Sequence, residues 1–180
     1  MYRITTILLF VLMLTGCDQR TLPQKNYKLD EGVMTLLLDA KEDAIRRKDA
    51  AAVKGFYSKD VVMDITGPRG QMFQSTYKMV SRQAEINAEY GKDFYTEVLE
   101  RVVYVSANQE KAVVQQRIRE SWLFNSHFND VMVESVHRME WELVNNIPQI
   151  TRASKRILDR RVLNEVDRQV PPEQHLLNDA

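Results

Sequence analysis

KAVVQQRIRESWLF (residues 111–124) and VMVESVHRMEWELV (residues 131–144) decide the fold. In each, one alternating set of side chains is the more apolar, and both are rich in β-branched and aromatic residues, which marks half-buried strands. They are about twice the usual ~5–6 residues, and antiparallel strands of that length twist and bend at bulges, so the sheet they build is curved. A turn centred on residues 125–130 pairs positions whose numbers add to about 255. Val114, Gln116, Ile118, Glu120, Trp122 and Phe124 then share one face with Val133, Ser135, His137, Met139, Trp141 and Leu143. The opposite set, with Gln115, Arg117, Arg119, Glu134, Arg138, Glu140 and Glu142, suits water.

Working outward, β-rich runs at residues 94–106 and 147–157 flank this pair, separated from it by residues 107–110 and by Asn145-Asn146. Asparagine tolerates positive φ, so the second break reads as a two-residue hairpin. Carrying that hairpin forward adds Ile150, Arg152 and Ser154 to the inner face. Upstream, Val33, Leu36, Leu37, Ala40 and Ala44 recur at helical spacing within residues 29–48. Asp49 caps a second helix over residues 50–56, which Gly55 helps to end. Residues 61–66 and 71–75 read as strands joined through Gly67-Pro68-Arg69-Gly70, and residues 77–90 as a third helix stopped by Gly91. The class is α+β: about three N-terminal helices, then a curved antiparallel sheet, with a C-terminal tail.

This element order, with FYSKDVVMD (residues 56–64) leaving the second helix, resembles the nuclear transport factor 2-like superfamily over residues 29–158. The resemblance implies a bent sheet wrapped around the helices as a cone, and a homodimer formed across open sheet faces. Ketosteroid isomerase-like members place a general-base aspartate on the first strand, usually just before a proline. Counted from Asp60, that place falls on Ile65, with no proline after it; Asp64 stands one residue early and alternation points it to the other side. Tyr57 either donates a hydrogen bond into the cone or packs in the core.

Glu120, His137 and Arg152 are the polar groups on an otherwise apolar concave face, with Gln116 nearby and Trp141 beside them as a ligand contact. Two readings stay open. Either Glu120 and His137 exchange a proton with a substrate, or Glu120 and Arg152 form a buried ion pair and a neighbour satisfies His137. His127, His137 and His175 lack metal-ligand spacing, and no phosphate loop or serine elbow occurs, so neither a metal nor a cofactor is expected.

The chain has 180 residues, with 25 basic and 25 acidic side chains and a single cysteine. Zero net charge supplies no long-range attraction to nucleic acid, and one cysteine excludes an internal disulfide. The N-terminus is an address: Arg3, then the apolar run at residues 7–14, too short for the ~20 residues of a membrane span, describes a secretory signal. Leu14-Thr15-Gly16-Cys17 resembles the bacterial lipobox, which implies cleavage after residue 16 and acylation of Cys17. Each buried methylene contributes about 0.8 kcal/mol, so several acyl chains hold a domain at a membrane. The resemblance implies the cell envelope facing the periplasm; Asp18 favours the inner membrane under the enterobacterial sorting rule, with the outer membrane as the alternative. Residues 17–28 are a polar tether and residues 159–180 a helical or extended tail, which either packs on its own domain or docks on a partner.

The function expected is a lipid-anchored binding or assembly module without catalytic activity, which offers its cone or sheet to a protein partner or a small apolar ligand. The alternative is a small acid–base enzyme, an isomerase, dehydratase or cyclase, using Glu120 and His137.

Overall fold

Asp30 opens the fold: its carboxylate accepts a hydrogen bond from the Val33 N–H at 2.8 Å and caps α1 (Glu31–Arg46). Asp49 does the same for Ala52 at 2.9 Å and starts α2 (Ala50–Gly55), as its position in the sequence requires. The computed structural model describes residues 28–125 and 129–163. Over them the remaining elements are β1 (Tyr57–Thr66), β2 (Met72–Thr76), α3 (Tyr77–Tyr90), β3 (Gly91–Val105), β4 (Lys111–Phe124), β5 (Val131–Val144) and β6 (Ile147–Val162). The leader with Cys17 and Asp18, the tether up to residue 27, His127, and the tail from residue 164 with His175 lie outside the described residues.

One six-stranded sheet runs in the order β2-β1-β6-β5-β4-β3. It is mixed rather than wholly antiparallel, because β1 pairs parallel with β6. A parallel neighbour needs a long crossover; here β2 and α3 begin that crossover and carry the chain to β3 at the far edge before it meanders back. β6 also overruns the expected end of the domain. Asp159, Arg160, Arg161 and Val162, read as the start of the tail, pair with Glu134, Val133, Met132 and Val131, because the long β5 offers them backbone partners.

Val114 stands opposite Met139 and Glu120 opposite Val133, so the β4–β5 turn is centred one residue earlier than expected. The shift preserves parity, and the predicted faces hold: Ala112, Val114, Gln116, Ile118 and Glu120 are buried, as are Val133, Ser135, Met139 and Trp141. On the other face Arg117 and Arg119 pair with Glu134, and Arg119 also reaches Glu97 at 3.0 Å.

β6 departs from the expected parity. Trp141 pairs with Ile150, but Glu140 pairs with Arg152, which leaves Thr151 as an extra residue. This bulge turns Ala153 and Lys155 into the concave side and sends Arg152 out, since one inserted residue reverses every side chain after it.

The core lies at the closed end of the cone, where Met34 and Leu38 of α1 meet Val61, Val114, Trp141 and Ile150. Each such side chain contributes about 1.5–3 kcal/mol on burial. Phe56 meets Trp141 edge to face, with ring centroids 6.3 Å apart. Asn145 and Asn146 take φ of 52° and 62°, the primed turn expected of the β5–β6 hairpin. Gly91 ends α3 for a different reason from conformational freedom: a Cβ there would lie 2.3 Å from the Asn87 carbonyl oxygen.

Candidate functional site in the cone

Above this core the sheet and helices leave a cavity of about 340 Å³. Its walls are mainly apolar: Met63 and Ile65 from β1, Val80 and Ala84 from α3, Trp122 from β4 and Met139 from β5. Phe73 and Met79 line it while remaining about half exposed, so they mark its opening. A second, more open cleft of about 570 Å³ shares Gln83, Asn87, Trp122 and Lys155 with it and continues past Phe124 and Ile157. Trp122 stacks at a tilt on Phe94, with centroids 4.2 Å apart, and so presents a rigid aromatic wall to both spaces.

Glu120, His137, Lys155 and Lys41 supply the charge-bearing chemistry of the cavity. Lys155 Nζ donates to Glu120 Oε2 at 2.7 Å, and His137 Nε2 stands 4.0 Å from the same oxygen. Ser135 Oγ lies 2.9 Å from His137 Nε2, a hydrogen bond whose donor follows the imidazole tautomer. Burial alone pushes the Glu120 carboxyl up, but Lys155, with His137 and Lys41 behind it, outweighs burial and holds it below the usual carboxylate range. Burial is also the leading effect on His137, and with the Lys155 ammonium nearby it lowers the imidazole to about 3. At neutral pH the site therefore holds a carboxylate and a neutral imidazole beside Lys155 and Lys41.

The residues expected here from sequence divide. Glu120, His137 and Tyr57 do line the cavity. Asp64 does not: Ile65 occupies the inward position on β1, and Asp64 faces away, accepting from Gln74 Nε2 at 3.0 Å. Arg152 is corrected by the β6 bulge; it is exposed and meets Asp64 at 3.5 Å instead of Glu120. Gln116 is buried short of the cavity, where its Oε1 accepts from Arg101 Nε at 3.0 Å; Arg101 in turn holds Glu42. Trp141 is fully buried in the core and reaches no ligand space; its indole N–H has no partner among the described residues.

The ion pair anticipated for Glu120 exists with Lys155 as the cation, and Ser135 is the neighbour that satisfies His137. Lys155 and Lys41 were the residues to find. The first is signalled by apolar positions that change parity within β6, from Ile150 to Ala153 and Ile157. The second is signalled by a lysine inside the apolar stripe of α1, one turn from both Leu37 and Ile45. Among the described residues no group of three or more histidine, cysteine or acidic side chains could hold a metal ion.

No protein-family model and no curated protein sequence matches the chain. Solved structures do. A hexachlorocyclohexane dehydrochlorinase (LinA type 2) superposes with a TM-score of 0.57 at 8% identity, over 78% of this chain and 93% of its own. A nuclear transport factor 2-like protein from Cytophaga hutchinsonii gives 0.54 at 13% identity, over 70% and 96%. Another from Pseudomonas putida, of unknown function, gives 0.52 at 12%, over 70% and 84%. The chain has the nuclear transport factor 2-like fold. That fold carries enzymes as well as proteins with no catalytic role, so the site must decide between them.

Proposed function

We propose that the chain is a non-catalytic binding module, anchored by lipid at Cys17 on the periplasmic face of a bacterial membrane, that takes a small, mostly apolar ligand into its cone. One observation carries the binding reading: the two groups that could serve as acid and base in the cavity are each held by a neighbour. Lys155 occupies Glu120, Ser135 occupies His137, and the strand position where a general base belongs holds Ile65. A carboxylate held below its usual range and an imidazole lowered to about 3 are both weak bases at neutral pH.

The rival reading has the meeting of Glu120 and His137 in one cavity in its favour, and the dehydrochlorinase likeness extends to an enzyme fold. The full chain is expected to turn over neither ketosteroid-like nor epoxide substrates. Turnover that disappears in Glu120→Gln would replace this reading with the acid–base enzyme.

The anchor rests on the lipobox-like Leu14-Thr15-Gly16-Cys17 and the apolar run before it. Cys17→Ser is expected to accumulate uncut, unacylated precursor in the producing bacterium, read by intact mass and by fatty-acid labelling. Normal maturation of that variant would remove the anchor from the proposal. A protein partner, or a second copy of the chain, would be met on the sheet surface, and crosslinking in the native membrane would identify it.

A further inference from the structure

Lys41 is out of place for a surface lysine. It projects from the apolar stripe of α1 into the cavity that Met63, Ile65, Trp122 and Met139 line. Its ammonium has no hydrogen bond or ion pair among the described residues; the Tyr57 ring, 6.0 Å away, is its aromatic neighbour. The other charges in the cavity cancel, because Lys155 is bonded to Glu120 and His137 is neutral at pH 7. One positive charge is left over on an apolar wall. The carboxylate whose charge Lys41 feels, Glu120, is already bonded to Lys155, so an anion placed directly against the Lys41 ammonium supplies the charge-assisted hydrogen bond it lacks.

From this geometry we infer that the cone takes a singly charged anionic amphiphile: a carboxylate head against Lys41 and a hydrocarbon or aromatic body against the apolar wall. This rests on the binding reading above and adds the class of ligand. The charge count sets one anionic group, since a second would face Glu120 with no cation to meet it. The volume sets the size. At about 30 Å³ per water-sized group, about 340 Å³ holds on the order of ten non-hydrogen atoms. A longer tail has a way out past Phe73 and Met79, whose exposed side chains border the opening.

The test titrates the full chain at pH 7.5 by calorimetry with three probes of one shape: 4-phenylbutanoate, 4-phenylbutanol and 4-phenylbutylammonium. A protein-free blank carrying the same lipid is subtracted. The carboxylate is expected to bind about tenfold or more tightly than the alcohol, as a charge-assisted hydrogen bond allows, and the ammonium least well. Lys41→Met is expected to cost the carboxylate about tenfold while leaving the alcohol unchanged, and Lys41→Arg to keep most of the preference. Equal binding of acid and alcohol, unchanged in Lys41→Met, would overturn the anionic class while the cone remained a binding site. Binding of none of the three by the folded chain would overturn the binding reading itself.

Discussion

Lys155→Met is expected to destabilise the protein by about 3–5 kcal/mol, because it leaves the Glu120 carboxylate buried without its counter-charge. The side chain of Glu120 is only 9% exposed and that of Lys155 22%, so water reaches the pair poorly and cannot replace the lost ammonium. The same change removes the strongest influence holding Glu120 low, and burial then drives its carboxyl upward. Urea unfolding midpoints at pH 7 measure the loss. The double variant Glu120→Gln/Lys155→Met removes both charges and is expected to recover most of it. A Lys155→Met midpoint equal to that of the parent would show that the carboxylate is not confined as described.

The second large effect is a dependence on pH that belongs to His137. Its imidazole stays neutral in the folded chain down to about 3, whereas an unfolded histidine binds a proton below about 6.5. Between those values the unfolded state holds more protons, so stability is full above about pH 6.5 and falls as the solution becomes more acidic. Each pH unit inside the window removes up to about 1.4 kcal/mol, or about 2 kcal/mol by pH 5. Glu120 works in the same direction at lower pH. Its folded value is depressed, so its contribution is present above the ordinary carboxylate value and is lost as pH falls toward the folded one. Comparing His137→Gln with the parent at pH 5 and pH 7.5 isolates the histidine: the difference between the two proteins is expected to shrink at the lower pH. A gap that stayed constant would mean that His137 titrates normally.

Much of the architecture was legible because long strands advertise their period. In residues 111–124 and 131–144 one alternating set stays the more apolar and no bulge interrupts their pairing, so even a turn misplaced by one residue left Glu120 and His137 on the correct face. The Asn145-Asn146 turn and the Asp49 cap follow from the φ tolerance of one residue type and the side-chain oxygen of the other. The site was less legible because it depends on bulges. Thr151 itself looks like its neighbours, and only the parity change from Ile150 to Ala153 and Ile157 signals that its insertion exchanges Arg152 for Lys155 inside the cone. Position along a strand was equally hidden. Trp122 and Trp141 share the inner face, but Trp141 sits near the β5–β6 turn, where α1 and α2 close the cone, and Trp122 sits where the walls part. Choosing Trp141 as the ligand contact required knowing which end was shut.

β1 sits between β2 and β6, and it touches β6 through a partner nearly a hundred positions later in the chain, Met63 beside Ala153 being one such pair. No nascent chain short of Ile147 can therefore complete this sheet, since the seat that β1 and β2 occupy does not exist until β6 emerges. Contacts of such long sequence separation form slowly. β1 and β2 therefore take their places in the sheet only once β6 is there to receive them.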